Sequence, residues 1–227
     1  MFTGFSSAAL HFLEELGRHN DREWFSENKI RYEDTVLKPA LEFVAAMERP
    51  LRKISPHFLA IPKRVGGSVM RIYRDTRFSN DKTPYKTNLG IHFRHEAGKN
   101  VHAPGFYFHV DPDRIFVGCG IWHPDGVTLN QIRQLIDDDP IRWKRITRKA
   151  AFQETFQMAG DVLTRPPKGY SADHPLIEDL KRKDHIVLAE LSRADIASGR
   201  LTNVFVDRAR LALPYVRFLC DALHLPC

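Results

Sequence analysis

Nowhere in its 227 residues does this chain run to the roughly eighteen consecutive apolar residues that a membrane-spanning helix needs. A membrane partner is therefore not expected. Cysteine is nearly as scarce: Cys119, Cys220 and Cys227 are the only three. Odd in number and widely spaced, they fit reduced thiols rather than a disulfide framework, and no CxxC pair supplies the spacing of a zinc site. Walker loops, nucleophile elbows and a GxGxxG between strand and helix are all missing, which removes the usual sequence signs of phosphate-loop, hydrolase and dinucleotide chemistry. The opening stretch MFTGFSSAALHFLEELGRHN has no basic leader and meets charge after a few apolar residues. A signal peptide is not expected, and a cytoplasmic address is. Internal repeats and low-complexity tracts are absent as well.

What the chain does have is ordinary globular material: 43% apolar and 27% charged residues spread along its length. That suffices to bury one good core, so the expectation is a single α+β domain over residues 1–227 with no long disorder. Lys and Arg exceed Asp and Glu by 34 to 28, an excess that favours anionic partners only where it is concentrated.

Hydrophobic periodicity divides the chain. Ser6 or Ser7 is placed to cap a first short helix carrying Leu10, Leu13 and Leu16, with Gly17 as its stop. Asn20 and Glu23 have capping-box spacing, opening a second helix with Phe25, Tyr32, Val36, Phe43 and Met47 on one stripe. Pro39 is expected to bend or divide that helix. From the loop glycines Gly66 and Gly67 onward the period changes. Val69–Tyr73, Leu89–Phe93, Phe106–Val110 and Ile115–Trp122 are short β-branched and aromatic runs, read as four strands. The DPDR turn at residues 111–114 joins the last two as an antiparallel hairpin. Helices return at Leu129–Ile136 and as a basic helix over residues 141–156. A loop follows at 164–175, then a short helix near Leu176–Leu180, a fifth strand at His185–Glu190, and a final helix from about Thr202 to Leu223. The fold class is thus α+β, a mainly antiparallel sheet of about five strands flanked by N-terminal and C-terminal helices.

Charge is concentrated in RIYRDTRFSNDKTPYKTNLG, residues 71–90, which holds Arg71, Arg74, Arg77, Lys82 and Lys86 together with Asp75 and Asp81. Strand alternation says what lies beside it. One face of the predicted strands is aliphatic and aromatic. The other collects Arg71, Tyr73, His92, Arg94, Tyr107, His109 and Trp122, with Gly118 and Gly120 leaving room above them. Guanidinium groups bind phosphate or carboxylate in two-point fashion, rings stack on flat ligands, and imidazoles move protons near neutral pH. The leading reading is a cationic and aromatic pocket for a small phosphorylated or otherwise anionic ligand. Arg71, Tyr73, Arg74, Arg77, Lys82, Lys86, Arg94, Tyr107 and Trp122 contact the ligand, and His109 or Asp75 acts as acid or base. No motif names the bond that would be broken, or a cofactor.

Blander readings stand beside it. Arg74 with Asp75, and Lys82 with Asp81, can form a salt-bridge network that pins the loop, in which case the segment is architectural. His92, His95, His102, His109 and His123 fall in one region, yet no carboxylate or cysteine stands at ligand spacing, so no metal site is assigned. Cys119 alternates onto the apolar face and reads as a buried thiol. The basic helix, with Arg142, Lys144, Arg145, Arg148 and Lys149, fits either a nucleic-acid backbone or a solvated face behind the helix-capping acids Asp137–Asp139. A non-catalytic nucleic-acid or protein-binding module is the alternative function.

Four stretches, NDREWFSENKIRYED, the charged segment itself, PGFYFHVDPDRIFVGCGIW and HPLIEDLKRKDHIVLAELS, resemble in that order the uncharacterised bacterial and fungal family known as domain of unknown function 2461. The resemblance spans nearly the whole chain and implies a one-domain, cytoplasmic α+β protein. It implies no activity.

Overall fold

Leu10, Leu13 and Leu16 are all buried on α1 (Ser7–Arg18), which runs one residue past Gly17. The computed structural model describes residues 2–77, 79–98 and 103–227; His102 lies outside them. Helix α2 (Arg22–Glu27) is capped not by Asn20 but by Asp21, whose carboxylate accepts the Trp24 N–H at 2.9 Å. Asn20 is used elsewhere. Its side-chain amide donates to the Tyr85 carbonyl at 3.0 Å and its side-chain oxygen accepts the Tyr85 N–H, also at 3.0 Å. A short α3 (Lys29–Tyr32) passes through a π-helical turn, Glu33–Leu37, into α4 (Lys38–Ile54). Pro39 explains the wide turn: it has no N–H, and its ring would press on the carbonyl one turn back, so the helix loosens just upstream instead of breaking.

The sheet is five-stranded and wholly antiparallel, in the order β1 (Leu89–Arg94), β2 (Gly105–Val110), β3 (Ile115–Ile121), β5 (His185–Glu190), β4 (Gln157–Ala159). The β2–β3 hairpin closes through Asp111, whose carboxylate accepts the N–H groups of Asp113 and Arg114 at 2.8 and 2.6 Å. One face of the sheet carries Ile91, Phe93, Phe106, Phe108, Val117, Cys119 and Val187, all buried. Against it lie α4 and α10 (Leu201–Ala222), with Phe43 and Phe205 meeting Phe93 and Phe108 at ring-centroid distances of 5.2 to 6.4 Å. Truncating either helix ring to Ala would cost about 3–5 kcal/mol.

Three further expectations need correction. Val69–Tyr73 is not a strand: Val69 bridges Ile91 and Tyr73 bridges Tyr85, two isolated pairings with different partners. The run leaves β1 halfway and turns to the stretch around Pro84, which has no N–H to extend a ladder. The fifth strand beside those read from sequence is instead the three-residue β4. The basic helix is two helices, α6 (Pro140–Thr147) and α7 (Ala150–Thr155), split at Arg148 and Lys149. Trp143 and Phe152 are both buried, each 5.7 Å from the Tyr215 ring. In a continuous helix of about 3.6 residues per turn they would stand about half a turn apart; the break lets both face α10. Helix α5 (Gly126–Asp138) and the single-turn helices α8 (Ile177–Leu180) and α9 (Arg193–Ile196) complete the element order.

Candidate functional site

The sheet face turned away from α4 and α10 is where the alternating residues gather. Register places His92 opposite Tyr107, Gly90 opposite His109, Tyr107 opposite Gly118, His109 opposite Phe116 and Gly105 opposite Gly120. Four glycines on three adjacent strands leave a depression, because side chains stand nearly perpendicular to a sheet and these positions have none. The room lets neighbouring rings lie down: a Cβ on Gly105 would stand 2.4 Å from His92 Nε2. Above this floor is a cavity of about 420 Å³. Met70, Phe116, Trp122, Ile186 and Leu188 give it apolar walls, and Lys86, Asn88, His92, Tyr107 and His109 supply its polar groups.

Those groups are connected. His109 Nε2 lies 2.7 Å from Asp111 Oδ2, and His109 Nδ1 lies 3.2 Å from the Tyr107 hydroxyl and 3.5 Å from Asn88 Nδ2. With Nε2–H donating to the carboxylate, the neutral imidazole accepts at Nδ1, so Tyr107 O–H donates there. The result is a chain Tyr107–His109–Asp111 along one face of β2, with the His109 ring stacked on Phe116 at 4.6 Å. Burial alone would raise Asp111, but the bonds from His109 and from the Arg114 and Asp113 N–H groups outweigh it and hold the carboxyl below its usual range. Burial pushes the Tyr107 phenol up to about 12 and the His92 imidazole down to about 4, the latter helped by Arg94. Both stay neutral at physiological pH.

Lys86 is half-buried in the cavity wall, and its side chain makes no hydrogen bond or ion pair to any of the described residues. Burial and the neighbouring Arg71 charge both lower its pKa. An unpaired ammonium in a mainly apolar cavity is costly, and an entering anion would relieve that cost.

Of the residues read from sequence, Lys86, His92, Tyr107, His109 and Trp122 share this cavity. Arg71 is exposed, and its charge reaches Lys86 and Asp75. The remainder stand elsewhere. Arg74 bonds Asp81 and Thr83; Arg77 grips Asp75 at two points, 2.9 and 2.7 Å; Lys82 donates to the Thr76 carbonyl at 2.9 Å. The pairs suggested by sequence proximity are thereby exchanged, Arg74 taking Asp81 and Arg77 taking Asp75. Both carboxyls are held down at about 2, chiefly by these arginine bonds. Tyr73 and Arg74 line a separate concavity. Arg94 is half-buried and donates to the Gly67 carbonyl at 3.4 Å. Cys119 is fully buried, its thiol pushed up by desolvation. Among the described residues no three His, Cys, Asp or Glu side chains group closely enough to hold a metal. Arg142 of the basic stretch bonds Asp221 and covers the Phe218 ring, while its neighbour Trp143 is buried.

Sequence reasoning passed over Asn88, Gly90, Gly105 and Asp111. The same alternation contains the signal: Asn88 and Gly90 share the parity of His92, and Asp111 shares that of Tyr107 and His109. Asp111 was hidden by its other role, since a turn-forming aspartate explains itself.

A family model described as conserved hypothetical protein, DUF2461, matches residues 8–218. No curated protein and no solved structure matches the chain.

Proposed function

The chain belongs to the DUF2461 family of conserved hypothetical proteins, and from that premise we propose that it binds a small, flat, anionic ligand on the open sheet face and exchanges a proton with it through His109. The observation that carries this reading is the coexistence, in one cavity, of a Lys86 side chain without a partner among the described residues and the Tyr107–His109 pair, with His109 held from outside the cavity lining by Asp111. Lys86 and Asn88, with Arg71 beside them, suit the acid group of the ligand. The glycine floor and Trp122 suit its flat body. His109 can give or take a proton at Nδ1 through Tyr107, and Asp111 stabilises the imidazolium that forms.

Trp122 is 54% exposed and lines the cavity, whereas Trp143 is buried and the half-buried Trp24 is not part of the lining, so Trp122 should dominate any emission change at the cavity. Titration with benzoate or phenyl phosphate is expected to quench emission saturably, and Trp122→Phe to remove the signal. Lys86→Met should weaken binding about tenfold or more, as expected for losing one charge-assisted contact. Calorimetry in buffers of different ionisation enthalpy should register proton exchange on binding that disappears in His109→Gln. Equal binding by wild type and Lys86→Met would sink the proposal.

A further inference from the structure

Between the charged segment and the first helices lies a second concavity of about 460 Å³, lined by Arg22, Ser26 and Lys29 on one side and by Tyr73, Arg74 and Thr76 on the other. We infer that this concavity is a binding site for a soluble phosphate dianion, separate from the sheet-face cavity. It goes beyond the function proposed above and does not depend on it.

Three features of the lining point the same way. No Asp or Glu is among the described residues that form it. The side chains of Arg22 and Lys29 make no hydrogen bond or ion pair to any described residue, and the acid that does feel Lys29, Glu33, is committed to Arg64 at 2.9 Å. Arg74 is pinned from behind by Asp81 and Thr83, which fixes its guanidinium at the wall. Arg74 is offset by Asp81, which leaves Arg22 and Lys29 as the lining cations open to an anion, with Asp21 and Glu33 the nearby acids that act on this region.

Placement also fits. Arg22, Ser26 and Lys29 follow one another at intervals of four and three residues, so they form one stripe along α2 and α3. Ser26 offers a hydroxyl between the two cations, and Tyr73, half-exposed across the gap, offers another. Beneath them Phe25 and Tyr85 stack at 4.0 Å, and Asn20 holds the Tyr85 backbone from both sides. The two halves of the lining are thus tied together without using any of the phosphate-binding groups. Tetrahedral oxyanions are recognised by such convergent cations and hydroxyls.

The test is isothermal calorimetry of the full chain with pyrophosphate and with inorganic phosphate, probes that lack the flat body the sheet-face cavity suits. Saturable one-to-one binding is expected, with affinity falling steeply as salt rises. Arg22→Ala and Lys29→Ala should each weaken it about tenfold or more, while Lys86→Met leaves it unchanged. Both mutated side chains are exposed, so thermal unfolding of the variants should match wild type. Absence of saturable binding by the wild type, an unaltered affinity in Arg22→Ala, or an equal loss in Lys86→Met would each overturn the assignment. A parallel arm uses vesicles containing phosphatidic acid; recruitment to them in preference to the soluble phosphates would overturn it too. Loss of the Trp122 response to benzoate with pyrophosphate binding intact would remove only the sheet-face proposal.

Discussion

Tyr107 lies across Gly90: a Cβ built on that glycine would stand 2.6 Å from the Tyr107 hydroxyl and 3.1 Å from its ring. The phenol reaches His109 from this position, so the bare backbone at Gly90 is a condition for the hydrogen-bonded chain. A glycine with no strained φ is normally replaceable by alanine in a strand. Here it is not.

Gly90→Ala should therefore push the Tyr107 ring off the sheet. The overpacking should cost about 1–3 kcal/mol, measurable by urea denaturation. It should also abolish the Trp122 response to benzoate by filling the cavity floor. A variant with wild-type stability and wild-type titration would show that Tyr107 does not need this space.

Asn20 supports the charged segment from outside it. Its side chain satisfies both the N–H and the carbonyl of Tyr85, a backbone stretch that no continuous ladder serves. Asn20→Ala leaves both groups without their partner and is expected to cost about 1–3 kcal/mol. Asn20→Asp keeps the acceptor but loses the donor, so its stability should fall between the two. Equilibrium unfolding in urea distinguishes the three proteins.

Arg133 is a buried cation with no carboxylate partner among the described residues. Its Nε donates to the Leu180 carbonyl at 2.7 Å and an Nη to the Arg182 carbonyl at 3.2 Å, joining α5 to the end of α8. Burial lowers its pKa. Lysine cannot reproduce a fork that reaches two carbonyls. Arg133→Lys should lose about 1–3 kcal/mol, the range for leaving a buried acceptor unmet, and should expose the α8 segment to faster amide exchange.

Why sequence revealed the sheet face but not its contents follows from range. Alternation along β1, β2 and β3 is a local property, so the common side of His92, Tyr107, His109 and Trp122 was legible from residue numbers alone. The pairing of the 71–86 segment depends on where Pro84 and Tyr85 fall relative to β1, which is a long-range matter. Hence Val69–Tyr73 looked like a strand by composition, and Arg74 was matched with the wrong aspartate. The split between α6 and α7 was hidden for a similar reason: only the position of Tyr215 on α10 requires Trp143 and Phe152 to face one way. Strand β4 has three residues, too few for any period to register.

The last prediction concerns acid. His185 is fully buried, neither ring nitrogen has a hydrogen-bond partner among the described residues, and burial lowers its pKa from 6.5 to about 3. His92 falls from 6.5 to about 4 for the same first reason. In both, the unfolded chain takes up a proton well before the folded one does. Their neutral forms are therefore accommodated in full above about pH 6.5, and stability is lost progressively as pH falls towards their folded values. At pH 5 each is expected to cost up to about 2 kcal/mol, from about 1.4 kcal/mol per pH unit. Urea midpoints measured from pH 7.5 down to 5, above the carboxylate range, should fall continuously. His185→Leu removes one of the two contributions and also a polar group with no partner, so it should flatten the slope by about half and raise stability at pH 7.5 by about 1 kcal/mol. A variant whose midpoints track wild type across the whole window would mean that His185 is protonated in the folded protein as readily as in the unfolded one.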